Sequence, residues 1–179
     1  AQHAQCTAHS APTLHARAAS VPARTSSAAA TRGWDLFRGK AQCSVCHNGD
    51  NFSDGLFHNV GIGFNVDGSP GEGADIGRGK VTKDAADNYK FRTPTLRNVS
   101  ATAPYFHDGS VATLKEAVKY MASGGVVKGP SADPLLRPVV LNDVEVDDLV
   151  AFLESLSCPG SLEVLGDQAV PWSKPTATP

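Results

Sequence analysis

Cys43-Ser44-Val45-Cys46-His47 is the stretch on which the reading of this chain turns. Cysteines at i and i+3 stand one helical turn apart, and a histidine directly after the second can present its imidazole to a central iron. That spacing satisfies both thioether links and one axial bond of a c-type haem at once, so the string predicts covalent haem c at Cys43 and Cys46 with His47 as axial ligand. Half of a zinc site is the first alternative, but it needs a second ligand pair at suitable spacing, and Cys6 and Cys158 stand alone near opposite ends. Thioredoxin-like redox work is the second, and no βαβ pattern surrounds the motif.

The sixth iron position separates functions: a six-coordinate haem passes electrons, an open one binds peroxide or dioxygen. Met121 is the sole methionine of the chain. Read from spacing alone, it is either core filling on an apolar helix face or the thioether ligand of the iron. His58 and His107, each in a turn-rich segment, are rival ligands or loop histidines bonded to backbone. His3, His9 and His15 read as solvated, and Cys6-Thr7-Ala8-His9 lacks the cysteine a second haem site needs. Arg92 and Arg97 flank Thr93-Pro94-Thr95-Leu96 and are candidates to pair with haem propionates, with ordinary surface arginines the other reading.

Outward from the motif, Thr31–Ala41 reads as a helix with Trp34, Phe37 and Ala41 on one face. A second helix runs from Thr113 to Met121, opened by a Thr113/Glu116 capping box and stopped by Gly124-Gly125. A third starts at Asn142, with Val146, Leu149, Val150 and Leu153 at helical spacing, and ends near Ser157. The first and last of these are expected to cross. Residues 61–79 hold seven glycines and form a long loop; neither a phosphate cradle nor a dinucleotide fingerprint is complete there. No strong alternating strands appear. The expected fold is therefore mainly α: a single cytochrome c-type domain over 31–158 with long Gly-rich loop insertions, between an extended arm (1–30, with a short Ala-rich helix starting near Ser27) and a Pro-containing tail (159–179).

A net charge of −2 and a pI near 6.3 leave no basic stripe for nucleic acid, and no apolar run approaches the ~20 residues of a membrane span. Haem attachment to such a motif takes place outside the cytoplasmic membrane, so a periplasmic or otherwise exported protein is expected. In that compartment Cys6 and Cys158 can pair, closing a loop of about 150 residues, or remain two separate thiols.

Three longer segments carry a family likeness. Phe52-Ser53-Asp54-Gly55-Leu56-Phe57-His58-Asn59, Phe91-Arg92-Thr93-Pro94-Thr95-Leu96-Arg97-Asn98 and Ala103-Pro104-Tyr105-Phe106-His107-Asp108-Gly109-Ser110 resemble the bacterial dihaem cytochrome c peroxidase and methylamine-utilisation haem enzyme family, as does Thr113 to Val118. The resemblance covers roughly residues 31–158 and points to that family's C-terminal, electron-transferring domain. It implies Met121 as distal ligand, with Tyr120 beside it where the methylamine-utilisation branch uses tyrosine. It also implies backbone carbonyls of Thr102 and Pro104 as ligands of an interdomain calcium whose third protein ligand belongs to the N-terminal haem domain. This sequence holds a single C-x-x-C-H, so the electron-transferring domain without the peroxidatic one is expected. The expected role is thus one-electron transfer as a subunit or partner of a dehydrogenase or other periplasmic oxidoreductase, with peroxide reduction, alone or with another haem chain, as the alternative.

Overall fold

In the computed structural model, which describes residues 27–125 and 133–157, the chain enters through helix α1 (Ala28–Arg38). Ser27 caps it, its hydroxyl accepting from the Ala30 N–H at 3.1 Å. Capping by Ser27 ahead of three alanines starts the helix at Ala28 rather than Thr31, and the non-helical Gly39 stops it before Ala41. Helix α3 (Leu114–Ala122) carries the capping box read from Thr113 and Glu116. Helix α4 (Asp143–Ser155) has one at Asn142 and Glu145. A further single turn, α2 (Gly79–Thr82), closes the Gly-rich loop.

Helices α1 and α4 cross, and the crossing is set by one residue. A Cβ on Gly33 would lie 1.9 Å from the Asp148 carbonyl oxygen, so only glycine allows this approach. Beside it, Arg32 grips the buried Asp148 carboxylate through Nε at 2.7 Å and Nη2 at 2.6 Å. Trp34 and Phe37 pack their rings on Phe152 at 5.3 and 5.0 Å, and Phe52 closes the cluster. Phe37 and Leu149 are the most deeply buried large side chains. Lys115–Asp147 and Lys119–Asp143 ion pairs then tie α3 to α4.

The rest of the described chain is turns and loops, with one small sheet: β1 (Phe57–His58) and β2 (Phe91–Arg92), antiparallel, with Phe57 opposite Arg92 and His58 opposite Phe91. Strands of two residues show no alternation, which is why the sequence gives no sign of them. The Gly-rich loop is anchored by Phe64, edge-on to Tyr89 at 4.9 Å, and by a bridge from Gly77 to Lys90. The architecture is mainly helical and cytochrome c-like. Among the described residues no helix is long and apolar enough to cross a membrane. Cys6, Cys158 and their expected pairing lie outside the described residues, as do most of the arm and the tail.

Candidate haem site

The C-x-x-C-H segment leaves α1 through Gln42, whose φ of 55° turns the chain sharply into a 3-10 turn at Cys43–Val45. The His47 N–H donates to the Cys43 carbonyl at 3.0 Å, which brings the two cysteines and the histidine to one wall. That wall bounds a cavity of about 560 Å³, within the ~300–1,000 Å³ typical of cofactor sites. Phe37, Leu149 and Leu153 back it from α1 and α4, and Leu96, Val99 and Tyr105 from the segment after β2. Leu114, Ala117, Val118 and Met121, spaced as one face of α3, line it as well. The apolar face read on that helix therefore looks into the cavity.

His47 is half-buried and its ring Nδ1 lies 2.9 Å from the Phe52 carbonyl, which accepts the Nδ1 proton and leaves the ring's lone pair on Nε2. Burial pushes this imidazole below its usual value, so it stays neutral, the form that ligates a metal. Arg97 fixes the turn behind it: its guanidinium donates to the Asp50 carbonyl (Nε at 2.8 Å) and lies over the Phe52 ring. Arg97 thus serves the turn and is not among the cavity's lining residues, whereas Arg92, exposed on β2, is.

Burial pushes the Cys43 thiol up to about 11, and burial with the charges of Asp54 and Asp133 does the same to Cys46. A redox-active C-x-x-C needs the opposite, a depressed thiolate, which speaks against a thioredoxin-like role. Thr102 and Pro104 line the same cavity. Calcium takes about 6–8 oxygens, so two carbonyls make only part of such a site. The Tyr120 hydroxyl donates to the Val60 carbonyl at 2.9 Å, while its ring meets Phe106 edge-on.

The two rival histidines both stand on the cavity wall. His107 lies flat on Phe91, ring centroids 3.6 Å apart, at the cavity wall, where burial lowers its proton affinity. His58 has both ring nitrogens on carboxylates, Nδ1 on Asp133 at 2.7 Å and Nε2 on Asp54 at 3.0 Å. Burial alone would lower the His58 imidazole, but the bonds from Asp133 and Asp54 outweigh it and hold it raised. Cys46, Asp54 and His58 also bring donor atoms within 4.8 Å of one another; with both His58 nitrogens engaged, that grouping is an ion-pair network and not a ligand set. Sequence reasoning missed it because Asp133 is far along the chain from His58. Arg137, also on the cavity, gave no local signal either.

Two thiols, a neutral imidazole and a thioether around one apolar cavity are the donor set of covalent haem c, and the residues fit that group. Fold and site define a c-type cytochrome domain with haem-based redox chemistry. A model of the RoxA-like, cytochrome c-like family matches residues 90–122. Cytochrome-c peroxidase IdrP1 of Denitromonas iodatirespirans is 40% identical over 154 residues, spanning 73% of this chain and 41% of that protein. Methylamine utilization protein MauG of Methylorubrum extorquens is 39% identical over 129 residues, spanning 71% of this chain and 34% of that protein. A solved structure, of a MauG-like protein associated with microbial copper homeostasis, superposes with a TM-score of 0.65 at 36% identity, over 75% of this chain and 48% of the other. The chain matches the C-terminal cytochrome c domain of the cytochrome c peroxidase and MauG family. It spans less than half the length of these relatives.

Proposed function

We propose that this chain carries one covalent haem, six-coordinate through His47 and Met121, and transfers single electrons to or from a redox partner in the periplasm. The observation that supports it best is the common placement of Cys43, Cys46, His47 and Met121 on one apolar cavity. When bound, the haem supplies a one-electron iron couple. The chain's own residues do the rest. The Phe52 carbonyl fixes the tautomer and orientation of His47. The sulfur of Met121 is a soft donor that favours the reduced metal. Val99, Leu149 and Leu153 keep water from the walls, and Arg92 offers a cation for a propionate. Thr102 and Pro104 bind calcium only together with oxygens from another domain or chain. The partner is a dehydrogenase subunit or another oxidoreductase.

The test is the visible and near-infrared spectrum of both oxidation states with carbon monoxide added to the ferrous protein. A sulfur-to-iron band and refusal of carbon monoxide are expected. Ready carbon monoxide binding would overturn the reading in favour of peroxide reduction, a reading supported by the 40% identity to a cytochrome-c peroxidase.

A further inference from the structure

Residues 54–60 tie the two walls of the cavity together. On the C-x-x-C-H side, the Asp54 N–H donates to the Cys46 carbonyl at 2.8 Å and the Asp54 carboxylate meets His58 Nε2. On the other side, Tyr120 and Gly125, which flank Met121, and Asp133 further along the chain meet the next residues of the same strut. Tyr120 donates to the Val60 carbonyl. Gly125 passes so close to that carbonyl that a Cβ would lie 2.5 Å from it. Where the described chain resumes, the Asp133 N–H donates to the Asn59 carbonyl at 3.3 Å and its carboxylate takes His58 Nδ1.

At the centre is an imidazole with both nitrogens engaged, and the side chains of Asp54, His58 and Asp133 are only 11, 11 and 12% exposed. Burying three such groups is costly, and each offsets the others only while the set is complete. A packing contact would hold these segments against each other; a two-sided hydrogen-bonded bridge also fixes their distance and register. We propose that His58 is a positioning residue, a clamp that holds the Met121-bearing segment against the C-x-x-C-H wall and so keeps the sixth iron position closed. The clamp rests on the axial ligation proposed above, and its role in electron transfer is to prevent the site from opening to small oxidants.

The experiment uses the haem-loaded full chain in five forms: wild type, His58→Ala, Asp133→Ala, Asp133→Asn and Arg32→Ala. The readouts are the near-infrared sulfur-to-iron band and the affinity of the ferrous protein for carbon monoxide. His58→Ala and Asp133→Ala are expected to weaken the band and to bind carbon monoxide about tenfold more tightly or better, because the open fraction rises. Asp133→Asn, which still accepts from His58, is expected to retain the wild-type spectrum. Arg32→Ala, which strips a stabilising pair from the α1–α4 crossing, is expected to lower thermal stability without changing either readout. An unchanged band and continued refusal of carbon monoxide in either alanine variant overturn the clamp. Loss of helical circular dichroism in both alanine variants also overturns it, since the triad would then hold the whole fold. A wild-type protein that lacks the band overturns the ligation itself, a separate failure.

Discussion

Met121 has two roles that cannot be told apart by periodicity, since the same helix face that packs a core also delivers a ligand. Its removal separates them. Met121→Ala is expected to lower the reduction potential by on the order of 100 mV, a modest part of the ~0.8 V that axial ligands span. It should also let the ferrous protein take up carbon monoxide. A redox titration with an unchanged midpoint would assign Met121 to packing alone. His47 is the contrasting case: the motif marks the residue, but its working tautomer depends on the Phe52 carbonyl, which Arg97 steadies from outside the cavity. Arg97→Ala is expected to leave the haem attached while broadening its spectrum, because the turn carrying that carbonyl is freed. Unaltered line widths in the paramagnetic NMR spectrum of the variant would count against this.

At the level of elements, the helices were readable because their ends are chemically marked. Thr113 with Glu116 and Asn142 with Glu145 each close a capping box that spacing alone reveals. Thr113→Ala is expected to cost about 1 kcal/mol in chemical denaturation, the usual loss of an N-cap. The crossing of α1 and α4 is less forgiving. In Gly33→Val the new Cβ meets the Asp148 carbonyl at 1.9 Å and must push the helices apart, so about 3 kcal/mol or more is expected. A midpoint of urea unfolding equal to that of wild type would show that the crossing is looser than described. The short strands and the single turn of α2 had no such marks. Two-residue ladders exist because the loops around them are pinned elsewhere, by Phe64 on Tyr89 and by the His58 triad.

For the molecule as a whole, the triad makes stability depend on pH in a definite direction. His58 has a folded value raised above the ordinary 6.5, so its contribution is complete below that pH and is lost as pH rises through the folded value. His47 and His107 are lowered by burial and act in the opposite sense as pH falls below 6.5. The clean measurement is therefore the difference in Tm between wild type and His58→Gln. That difference should be largest below pH 6.5 and shrink at alkaline pH; a difference independent of pH would mean His58 is not charged in the fold.

The sequence by itself pointed to the cofactor chemistry, because thioether attachment and axial ligation are local: five consecutive residues would carry three of the bonds. It also determined the three long helices, whose caps and apolar faces are written within a turn or two of each end. Which face met which, and what stood at the cavity wall, was decided only in three dimensions. Gly33 is unremarkable until Asp148 approaches it, and His58 is an ordinary histidine until Asp133 arrives from 75 residues further along the chain. Such pairings depend on how the chain returns, and one sequence read in order carries no record of that return.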